Sequence, residues 1–243
     1  MVASFSPPVT PTTPRELVLT PRDVAILGDL VKHRVLSSAW LTRAHFNGSQ
    51  PACWERVRRL VGAGYVQKVE TLPDEPKAYR ATNKGKAALG LSTVGRPTRA
   101  VRPAQLLHTM AVADVAALLL ARFGGAWISE RELRDGAGGD WLRDGRGVQG
   151  RRYVPDGVLT VAAGDGVARL AAEVELSPKE PERYVGKLAW YRRLLVDGAL
   201  TQVRWYAGSR TVAGLLERAL ERAGYVRGDE GMGVYDLHQV RAV

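Results

Sequence analysis

The sequence has 243 residues, of which 45% are hydrophobic and 25% charged, a composition typical of a folded protein with one large or two small domains. Its 35 Lys and Arg outnumber its 25 Asp and Glu, and the net charge of +10 favours a polyanionic partner, either nucleic acid or an anionic membrane. The single cysteine, Cys53, excludes an intrachain disulfide and a zinc cluster of cysteines.

Two features argue against a membrane. The most apolar stretch, residues 111–121, contains Asp114 and is shorter than the roughly 18 residues that a spanning helix needs. The first residues, MVASFSPPVTPTTP, have neither the basic start nor the apolar core of a secretory signal. We therefore expect a cytoplasmic protein without a membrane partner.

Composition and charge divide the chain. Residues 1–14 are rich in Pro, Thr and Ser, which predicts a disordered tail. Residues 1–100 contain 15 Lys and Arg against 7 Asp and Glu, so the polyanion-binding part is N-terminal. The segment GLSTVGRPTRAVRP is typical of a linker. We predict a DNA-binding domain over 15–90, a linker over 91–103 and a second domain over 104–243.

The first domain is predicted to contain three helices, a hairpin and a fourth helix. Thr20-Pro21 begins the first helix, Ser37 or Ser38 caps the second, and Ser49 caps a third. The remaining elements are strands at 65–69 and 78–80, a turn at 73–76 and a fourth helix after Thr82. The apolar face of the first helix is expected to be Val24, Ile26, Leu27, Leu30 and Val31.

The third helix is the predicted recognition helix. Cys53, Val57 and Leu60 recur at helical spacing and face the core, which leaves a face of Gln and Arg that suits the major groove. The alternative is a solvated basic helix, and Trp54 is open between the edge of the core and a groove contact. The residues expected to contact DNA are Gln50, Trp54, Arg58 and Arg59 on the helix and Lys68, Lys77 and Arg80 on or beside the hairpin.

The stretches SQPACWERVRRLVGAGYVQKV and YRATNKGKAAL resemble the winged helix-turn-helix superfamily. In that superfamily a Ser-capped recognition helix is followed by a wing and a Tyr-Arg-x-Thr-x-x-Gly sequence. The resemblance covers about residues 17–90 and implies a domain that binds double-stranded DNA. It says little about the target sequence.

The second domain is predicted to follow the order helix, three strands, helix, strand, which is that of the PD-(D/E)xK nuclease fold. An apolar helix spans 108–122, and a glycine-rich stretch at 135–152 predicts a loop. The fold class is thus α+β, a winged helix-turn-helix followed by a restriction-endonuclease-like domain. The other elements are strands at 126–130, 153–161, 168–176, 202–207 and 234–237 and helices at 181–196 and 211–223.

Three carboxylates fall on two neighbouring strands of this domain. Glu173 and Glu175 share one strand face, and Asp156 lies on the hairpin partner. Carboxylates this close repel each other unless a cation lies between them, and oxygen ligands suit Mg²⁺ or Mn²⁺. We therefore predict a divalent metal ion at this position that activates water for phosphodiester cleavage. In the alternative, Asp156 belongs to a turn and both glutamates to a solvated face. Glu130 is either a fourth ligand or a solvated carboxylate, and His108 either a site or a core histidine.

The lysine of the nuclease motif is missing from its usual place. The motif has Lys two residues after the strand acid, where this chain has Glu175 or Ser177. Lys179 follows the strand, and Lys187 lies on the next helix. We predict that Lys187 substitutes for it, with Lys179 as the alternative. If neither lysine reaches the carboxylates, we expect a scaffold that does not cut. The predicted catalytic set is Asp156, Glu173, Glu175 and Lys187.

Most of the chain, from about Leu17 to Tyr206, resembles the replication-relaxation family through HTMAVADV, WISERELR, YVPDGVL and AAEVELSPKEPERYVGKLAWYRR. That family belongs to actinobacterial plasmids, integrative elements and phages, which implies replication or transfer of mobile DNA. We expect a protein that binds double-stranded DNA and has a nuclease-like domain that nicks or cleaves it. The alternative is a transcriptional regulator whose second domain binds a ligand or dimerises, and a homodimer is left open.

Overall fold

The computed structural model describes residues 17–71, 76–91, 103–137, 139, 153–180, 182–225 and 231–241. These residues form an α+β structure with a three-stranded and a five-stranded sheet. The predicted tail lies outside the described residues, as do residues 73–75 of the predicted turn, residues 92–102 of the linker and nearly all of the glycine-rich loop.

The N-terminal part has the predicted order with one strand more. Its helices are α1 (Pro21–His33), α2 (Ser38–Phe46), α3 (Gln50–Gly62) and α4 (Asn83–Ala87), and its strands are β1 (Leu36–Ser37), β2 (Val66–Val69) and β3 (Ala78–Ala81). Strand β3 lies in the centre and pairs antiparallel with β1 and β2. Strand β1 is only two residues long, too short to leave a periodic pattern in the sequence.

Side chains cap three helices at residues that the sequence indicates. Thr20 and Asp23 form a capping box at the start of α1, Ser37 caps α2 and Thr82 caps α4. Ser49 occupies the predicted N-cap position of α3, but its side chain makes no capping hydrogen bond. At the start of α3 the Cys53 N–H donates to the Ser49 backbone carbonyl at 3.1 Å instead.

A buried ion pair holds α1 against α3. The Asp23 carboxylate is fully buried and accepts hydrogen bonds from the Arg56 guanidinium, with Nε at 2.7 Å from Oδ1. Burial raises the pKa of Asp23, but the bonds from Arg56 and Thr20 outweigh burial and hold that pKa below its usual value. The sequence predicts that Val24 lies on the buried apolar face of α1, but Val24 is exposed. Asp23 is buried in that region instead, because Arg56 neutralises its charge.

The C-terminal part has the predicted order with two short helices added. Its helices are α5 (Pro103–Phe123), α6 (Glu130–Glu132), α7 (Glu182–Val196), α8 (Arg210–Arg222) and α9 (Leu237–Arg241), and a π-helical turn follows α6 at Leu133–Ala137. Its strands are β4 (Ala126–Ser129), β5 (Gly157–Ala163), β6 (Gly166–Glu175), β7 (Gln202–Ala207) and β8 (Met232–Asp236). They form one sheet in this order, antiparallel from β4 to β6 and parallel from β6 to β8.

Helices cover both faces of this sheet, which gives three layers. Helices α7 and α8 pack on the face that contains Trp205, and α5 and α9 pack on the face that contains Ala172 and Val174. Alternation along β6 therefore directs Glu173 and Glu175 towards α7. This is the division of faces that the sequence predicts.

Two acidic residues lie off the strands on which the sequence places them. Asp156 immediately precedes β5. Its carboxylate, rather than a backbone carbonyl of β5, accepts the hydrogen bond from the Val174 N–H at 2.8 Å, so the backbone pairing with β6 stops before it. Glu130 is the first residue of α6, because Ser129 forms a capping box with Glu132 and ends β4. Glu130 is also paired with Arg134 across one turn.

Helix α5 packs against both parts of the chain. Its Leu106 and Met110 contact Val35 and Ala78 of the N-terminal part, while its other face covers the five-stranded sheet. The Trp40 indole donates to a backbone carbonyl of the same helix at 3.1 Å. A chain segment that the sequence assigns wholly to the second domain thus completes the core of the first.

The same helix is long and apolar enough to cross a membrane, over Gln105–Phe123, which is longer than the stretch visible in the sequence. This is weak evidence, because the core helix of a folded protein passes the same test. Within the span, Asp114 is paired with Arg43 of α2 at 2.9 Å. We interpret α5 as a core helix.

Asp23→Ala is expected to lower the free energy of unfolding at neutral pH by about 3 kcal/mol, because it leaves Arg56 without its buried partner and removes a cap. The pKa of Asp23 in the folded state lies below the ordinary 3.8, so the carboxylate stabilises the fold above that pH. Its contribution is lost as the pH falls through the folded-state value. Chemical denaturation at about pH 7 and about pH 3 measures both effects, and the difference between the variant and the unmodified protein should shrink at the lower pH.

The matched control is Glu55→Ala, which removes an exposed carboxylate from the helix that contains Arg56. Glu55 pairs only with solvent-facing arginines, so its removal should leave the unfolding midpoint nearly unchanged. An equal loss of unfolding free energy in Asp23→Ala and Glu55→Ala would contradict the claim that the buried pair stabilises the fold more than the exposed one.

Candidate active site and nucleic-acid interface

The centre of the candidate active site is Glu173, a buried carboxylate on β6. Glu173 is 3% exposed, Lys187 Nζ lies 2.6 Å from its Oε2, and the Tyr191 hydroxyl donates to its Oε1. Lys187 and Tyr191 are one helical turn apart, so α7 presents both to the same strand. Lys187 therefore contacts a strand carboxylate, as it must if it is to replace the lysine of the nuclease motif. Its catalytic role stays a prediction.

Burial changes the protonation of this pair. It raises the pKa of Glu173 to about 7, with Asp156 adding to the rise and Lys187 opposing it. Burial also lowers the pKa of Lys187, but attraction to Glu173 and Asp156 outweighs it and raises that pKa above its usual value. Lys187 is therefore a fixed cation, while Glu173 exchanges its proton near neutral pH.

Asp156 and His108 meet at an uncovered part of β6. Strand β5 covers β6 only as far as the pair of Gly157 and Ala172. Beyond it, His108 Nε2 lies 3.1 Å from the Val174 carbonyl oxygen and 3.2 Å from Asp156 Oδ2. Burial opposes charge on both side chains, but their mutual attraction outweighs it, so the pKa of Asp156 is lowered and that of His108 is raised.

Glu175 has a partner of its own. It is 5% exposed, and Lys179 donates to its Oε2 at 2.5 Å. Lys179 therefore contacts Glu175, and Lys187 contacts Glu173. The two lysines that the sequence left as alternatives reach different carboxylates.

The predicted metal set of Asp156, Glu173 and Glu175 does not converge on one point. Among the described residues, no three His, Cys, Asp or Glu side chains are grouped as metal ligands. Each carboxylate faces a cation of the chain, namely His108, Lys187 or Lys179. The repulsion expected from the sequence is thus relieved by separate side chains, and these three carboxylates do not fit a shared divalent metal.

A cavity of about 380 Å³ lies between the two parts of the chain and reaches His108 and Asp156. Its walls come from the end of α1, from α5 and from the β4–α6 segment. They combine two acidic side chains, Glu130 and Asp156, with four basic ones: Lys32, Arg34, Arg131 and Arg134. The cavity therefore has more basic than acidic side chains in its walls, and it contacts the site at His108 and Asp156.

Arg34 stands in this wall on an unusual turn. Its φ is 69°, and the turn is closed by a hydrogen bond of 2.8 Å from the Val35 N–H to the His33 carbonyl. Positive φ is uncommon for residues other than glycine and costs free energy, and such conformations concentrate at functional sites. The turn places an exposed arginine in the wall of the cavity.

The exposed face of α3 contains all four predicted DNA contacts of that helix. Trp54 is 57% exposed, which decides against the edge of the core, and the Arg58 guanidinium lies 5.7 Å from its ring centroid. Glu55 pairs with Arg58 at 3.2 Å and with Arg59 at 2.9 Å. Gln50, the first residue of the helix, is also exposed.

The hairpin presents its predicted contacts on two sides. Arg80 lies opposite Gln67 and donates to its side chain at 2.9 Å. Lys68 follows Gln67 on β2 and therefore faces the other side. Lys77 precedes β3 and is exposed. The hairpin therefore does not bring Lys68 and Arg80 to one surface.

Sequence reasoning missed the basic residues of the cavity. Lys32 and Arg34 end α1, whereas Arg131 and Arg134 follow β4, so no spacing within one element links them. The sequence analysis left His108 open between a site histidine and a core histidine, and the structure places it on α5 beside Asp156. Its contact with Asp156 depends on tertiary structure and could not be seen in the sequence.

The solved structures that are similar to this chain include the restriction endonuclease FokI, at 9% identity and a TM-score of 0.34, and FokI bound to DNA, at 10% identity and a TM-score of 0.28. Each match covers 90% of this chain and 43% of that protein, so this chain spans less than half of its length. No curated protein matches the chain. The replication-relaxation family matches residues 27–204, which is most of the sequence. The chain therefore belongs to the replication-relaxation family.

Proposed function

We propose that this protein binds double-stranded DNA through its N-terminal part and nicks or cleaves a strand at its nuclease-like domain, in the replication or transfer of a mobile element. The observation on which the proposal rests is the contact of Lys187 with Glu173 beside Asp156. It supplies a cation where the nuclease motif lacks its lysine. Membership of the family supports the mobile-element setting.

The support for DNA binding lies in α3 and its surroundings. The exposed Trp54 side chain presents a large apolar surface to water, which costs free energy unless a partner covers it. With Arg58 and Arg59 beside it, this surface suits contact with the bases or sugars of DNA. The residues before position 101 contribute +8 of the net charge of +10. Such a surface gains affinity by releasing counterions from phosphates. We therefore interpret the N-terminal part as a winged helix with α3 in the major groove.

The support for cleavage lies in the protonation of the Glu173–Lys187 pair. A phosphodiester above this pair would meet a fixed ammonium group able to stabilise the negative charge that develops during hydrolysis. Glu173, with a pKa of about 7, is suited to exchange a proton with the attacking water or the leaving oxygen. Tyr191 holds the carboxylate in place through a hydrogen bond.

The cavity between the two parts offers a path from bound DNA to this site. Its four basic side chains suit phosphate groups of a strand that leaves the N-terminal part. Asp156 and His108, which face each other, also line it. The cavity would therefore guide one strand rather than a whole duplex.

A second function remains in competition, that of a DNA-binding regulator or scaffold without cleavage. One observation favours it: each of the three carboxylates is already paired within the chain. A cluster that is neutralised internally has no need of an ion. Cleavage assays on single-residue variants separate the two functions.

Arg58→Ala is expected to weaken binding of duplex DNA by roughly 5- to 150-fold, equivalent to about 1–3 kcal/mol, if Arg58 contacts a base, and Trp54→Ala should weaken it as well. The affinity of the unmodified protein should fall steeply as salt rises, because phosphate contacts release counterions. Fluorescence anisotropy over a salt series measures both effects.

Arg218→Ala is the matched control, since Arg218 is an exposed arginine on α8, far along the chain from α3. It should leave the affinity unchanged. If Arg58→Ala and Trp54→Ala bind DNA as tightly as the control, α3 is not the recognition helix.

Lys187→Ala is expected to abolish nicking of supercoiled plasmid in the presence of Mn²⁺ while leaving DNA binding intact. The variant should fold, because Glu173 already has a pKa of about 7 and becomes neutral without its lysine. Gel separation of nicked and supercoiled plasmid measures cutting, and thermal unfolding checks the fold.

Two variants test whether the effect is specific to Lys187. Arg183→Ala removes an exposed cation from the same helix and should leave cutting unchanged. Lys179→Ala should also retain cutting, because Lys179 contacts Glu175 rather than Glu173. Loss of cutting in Lys179→Ala but not in Lys187→Ala would transfer the role to Lys179. No cutting by the unmodified protein would favour the scaffold.

A further inference from the structure

We propose that the cavity between the two parts of the chain binds one unpaired nucleotide of a DNA strand, with its phosphate against the basic side chains at the end of α1 and on α6 and its base against α5 and β4. This inference rests on the proposed function, because it names the kind of DNA on which the candidate site acts. The proposed function needs a path for phosphates, whereas this inference also needs contacts to a base.

The acidic side chains of the cavity already have partners. Glu130 pairs with Arg134 at 2.6 Å, and Asp156 pairs with His108 at 3.2 Å. The basic side chains of the wall that remain are Lys32, Arg34 and Arg131. Cations from two separate segments that share one cavity repel each other unless an anion lies between them, and the anion that DNA supplies is phosphate.

The basic surface continues from the cavity to the N-terminal part. Burial lowers the pKa of Lys86 on α4, and the like charges of Arg131 and Arg80 lower it further. Glu132 attracts Arg131, but its carboxylate is held by the Ser129 hydroxyl at 2.6 Å in the capping box of α6. The potential that favours phosphates therefore extends from Arg80, beside the predicted wing, to the wall of the cavity.

Helix α5 presents hydrogen-bonding side chains to the same cavity. Gln105, His108, Thr109 and Val112 recur at helical spacing, and all four line it. The Thr109 hydroxyl donates to the Gln105 backbone carbonyl at 2.8 Å, so its oxygen is able to accept a hydrogen bond. The exposed Gln105 amide offers both a donor and an acceptor. Such groups suit the edge of a base, and a base that enters a cavity has to leave the stack of the duplex.

Strand β4 adds an aromatic side chain to the wall. Trp127 lines the cavity and is 2% exposed, and its ring packs on Gly157, where a Cβ atom would overlap it. Within the part of the chain that the structure describes, the Trp127 indole Nε1 has no hydrogen-bond partner. A buried donor without an acceptor costs free energy, and an acceptor brought by a ligand of this cavity would satisfy it.

The size of the cavity agrees with a ligand of one nucleotide. Its volume of about 380 Å³ lies near the lower end of the range of about 300–1,000 Å³ for sites that bind small organic molecules. A nucleotide has a charged phosphate and a base with hydrogen-bonding edges, and the cavity has walls of both kinds. The competing interpretation is a path that contacts phosphates alone.

The test compares the affinity of the full chain for three DNAs by fluorescence anisotropy. They are a blunt duplex, the same duplex with a short single-stranded extension at its 5′ or 3′ end, and the same extension built from abasic nucleotides. The abasic extension has the same charge but no bases. We expect the normal extension to bind at least about fivefold more tightly than the abasic one, which is the lower end of the effect of one stacked base.

Variants assign this gain to the two kinds of wall. Gln105→Ala should bring the affinity for the normal extension close to that for the abasic one, without changing the affinity for the abasic extension or the blunt duplex. Arg131→Ala should weaken binding of both extensions and lower the slope of log affinity against log salt concentration by about 1.

A second cation variant protects the test against misfolding. Arg34→Gly should have the same effect as Arg131→Ala, and it should fold, because glycine adopts the φ of 69° without steric cost. The matched control is Arg218→Ala on α8, which should change none of the three affinities. Thermal unfolding checks the fold of each variant.

Equal affinities for the normal and the abasic extension would overturn the proposal, because phosphates alone would then account for binding. An equal loss for both extensions in Gln105→Ala would overturn it as well. If dAMP raises the unfolding temperature of a protein that gains nothing from the extension, the cavity belongs to a free nucleotide and the proposal is wrong.

The proposed function fails by other measurements. Arg58→Ala on α3 should weaken binding of all three DNAs, whereas the cavity variants should leave the blunt duplex unaffected. A protein that prefers the normal extension but never nicks plasmid would retain this inference and defeat the proposed cleavage. Nicking without that preference would defeat this inference alone.

Discussion

The burial of the Glu173 carboxylate is the constraint on which the rest of the site depends. A carboxylate with 3% exposure in the middle of a three-layer domain is tolerated only where hydrogen bonds and a cation compensate for lost water. Lys187 and Tyr191 supply both from one turn of α7. The contact of Lys187 and Tyr191 with Glu173 therefore both holds α7 against the sheet and forms the centre of the candidate site.

Much of the fold could be predicted because its long elements have clear periods. Helix α5 and strand β6 differ from the expected bounds by a few residues, and β7 has the expected bounds. The Asp156 position could not be predicted, because it depends on one side-chain bond to the Val174 backbone at the end of a strand pair. Short elements such as β1 and α6 leave no period to detect.

The site was harder to predict than the fold for an electrostatic reason. Counting carboxylates on strands identifies negative charge but not the cations that meet it, which come from α5, from α7 and from the segment after β6. Once His108, Lys187 and Lys179 are in place, a cluster expected to need a shared ion becomes three separate pairs. The contact of Lys187 with Glu173 follows from helical spacing, which aligns Lys187 with Tyr191 on the face of α7 that packs on the sheet, while the catalytic role of Lys187 stays a prediction.

Helix α5 connects the N-terminal part to the carboxylate site. One of its faces completes the core of the N-terminal part through Leu106 and Met110, and its His108 lies between these two residues in sequence, in contact with Asp156. Little more than one turn of one helix therefore connects the core of the N-terminal part with Asp156. The cavity formed along this helix contains basic residues from both parts, so a shift of either part would change its width. If a DNA strand occupies the cavity, as we propose, it would favour the separation of the two parts that fits it, so DNA binding and the geometry at Asp156 would be coupled.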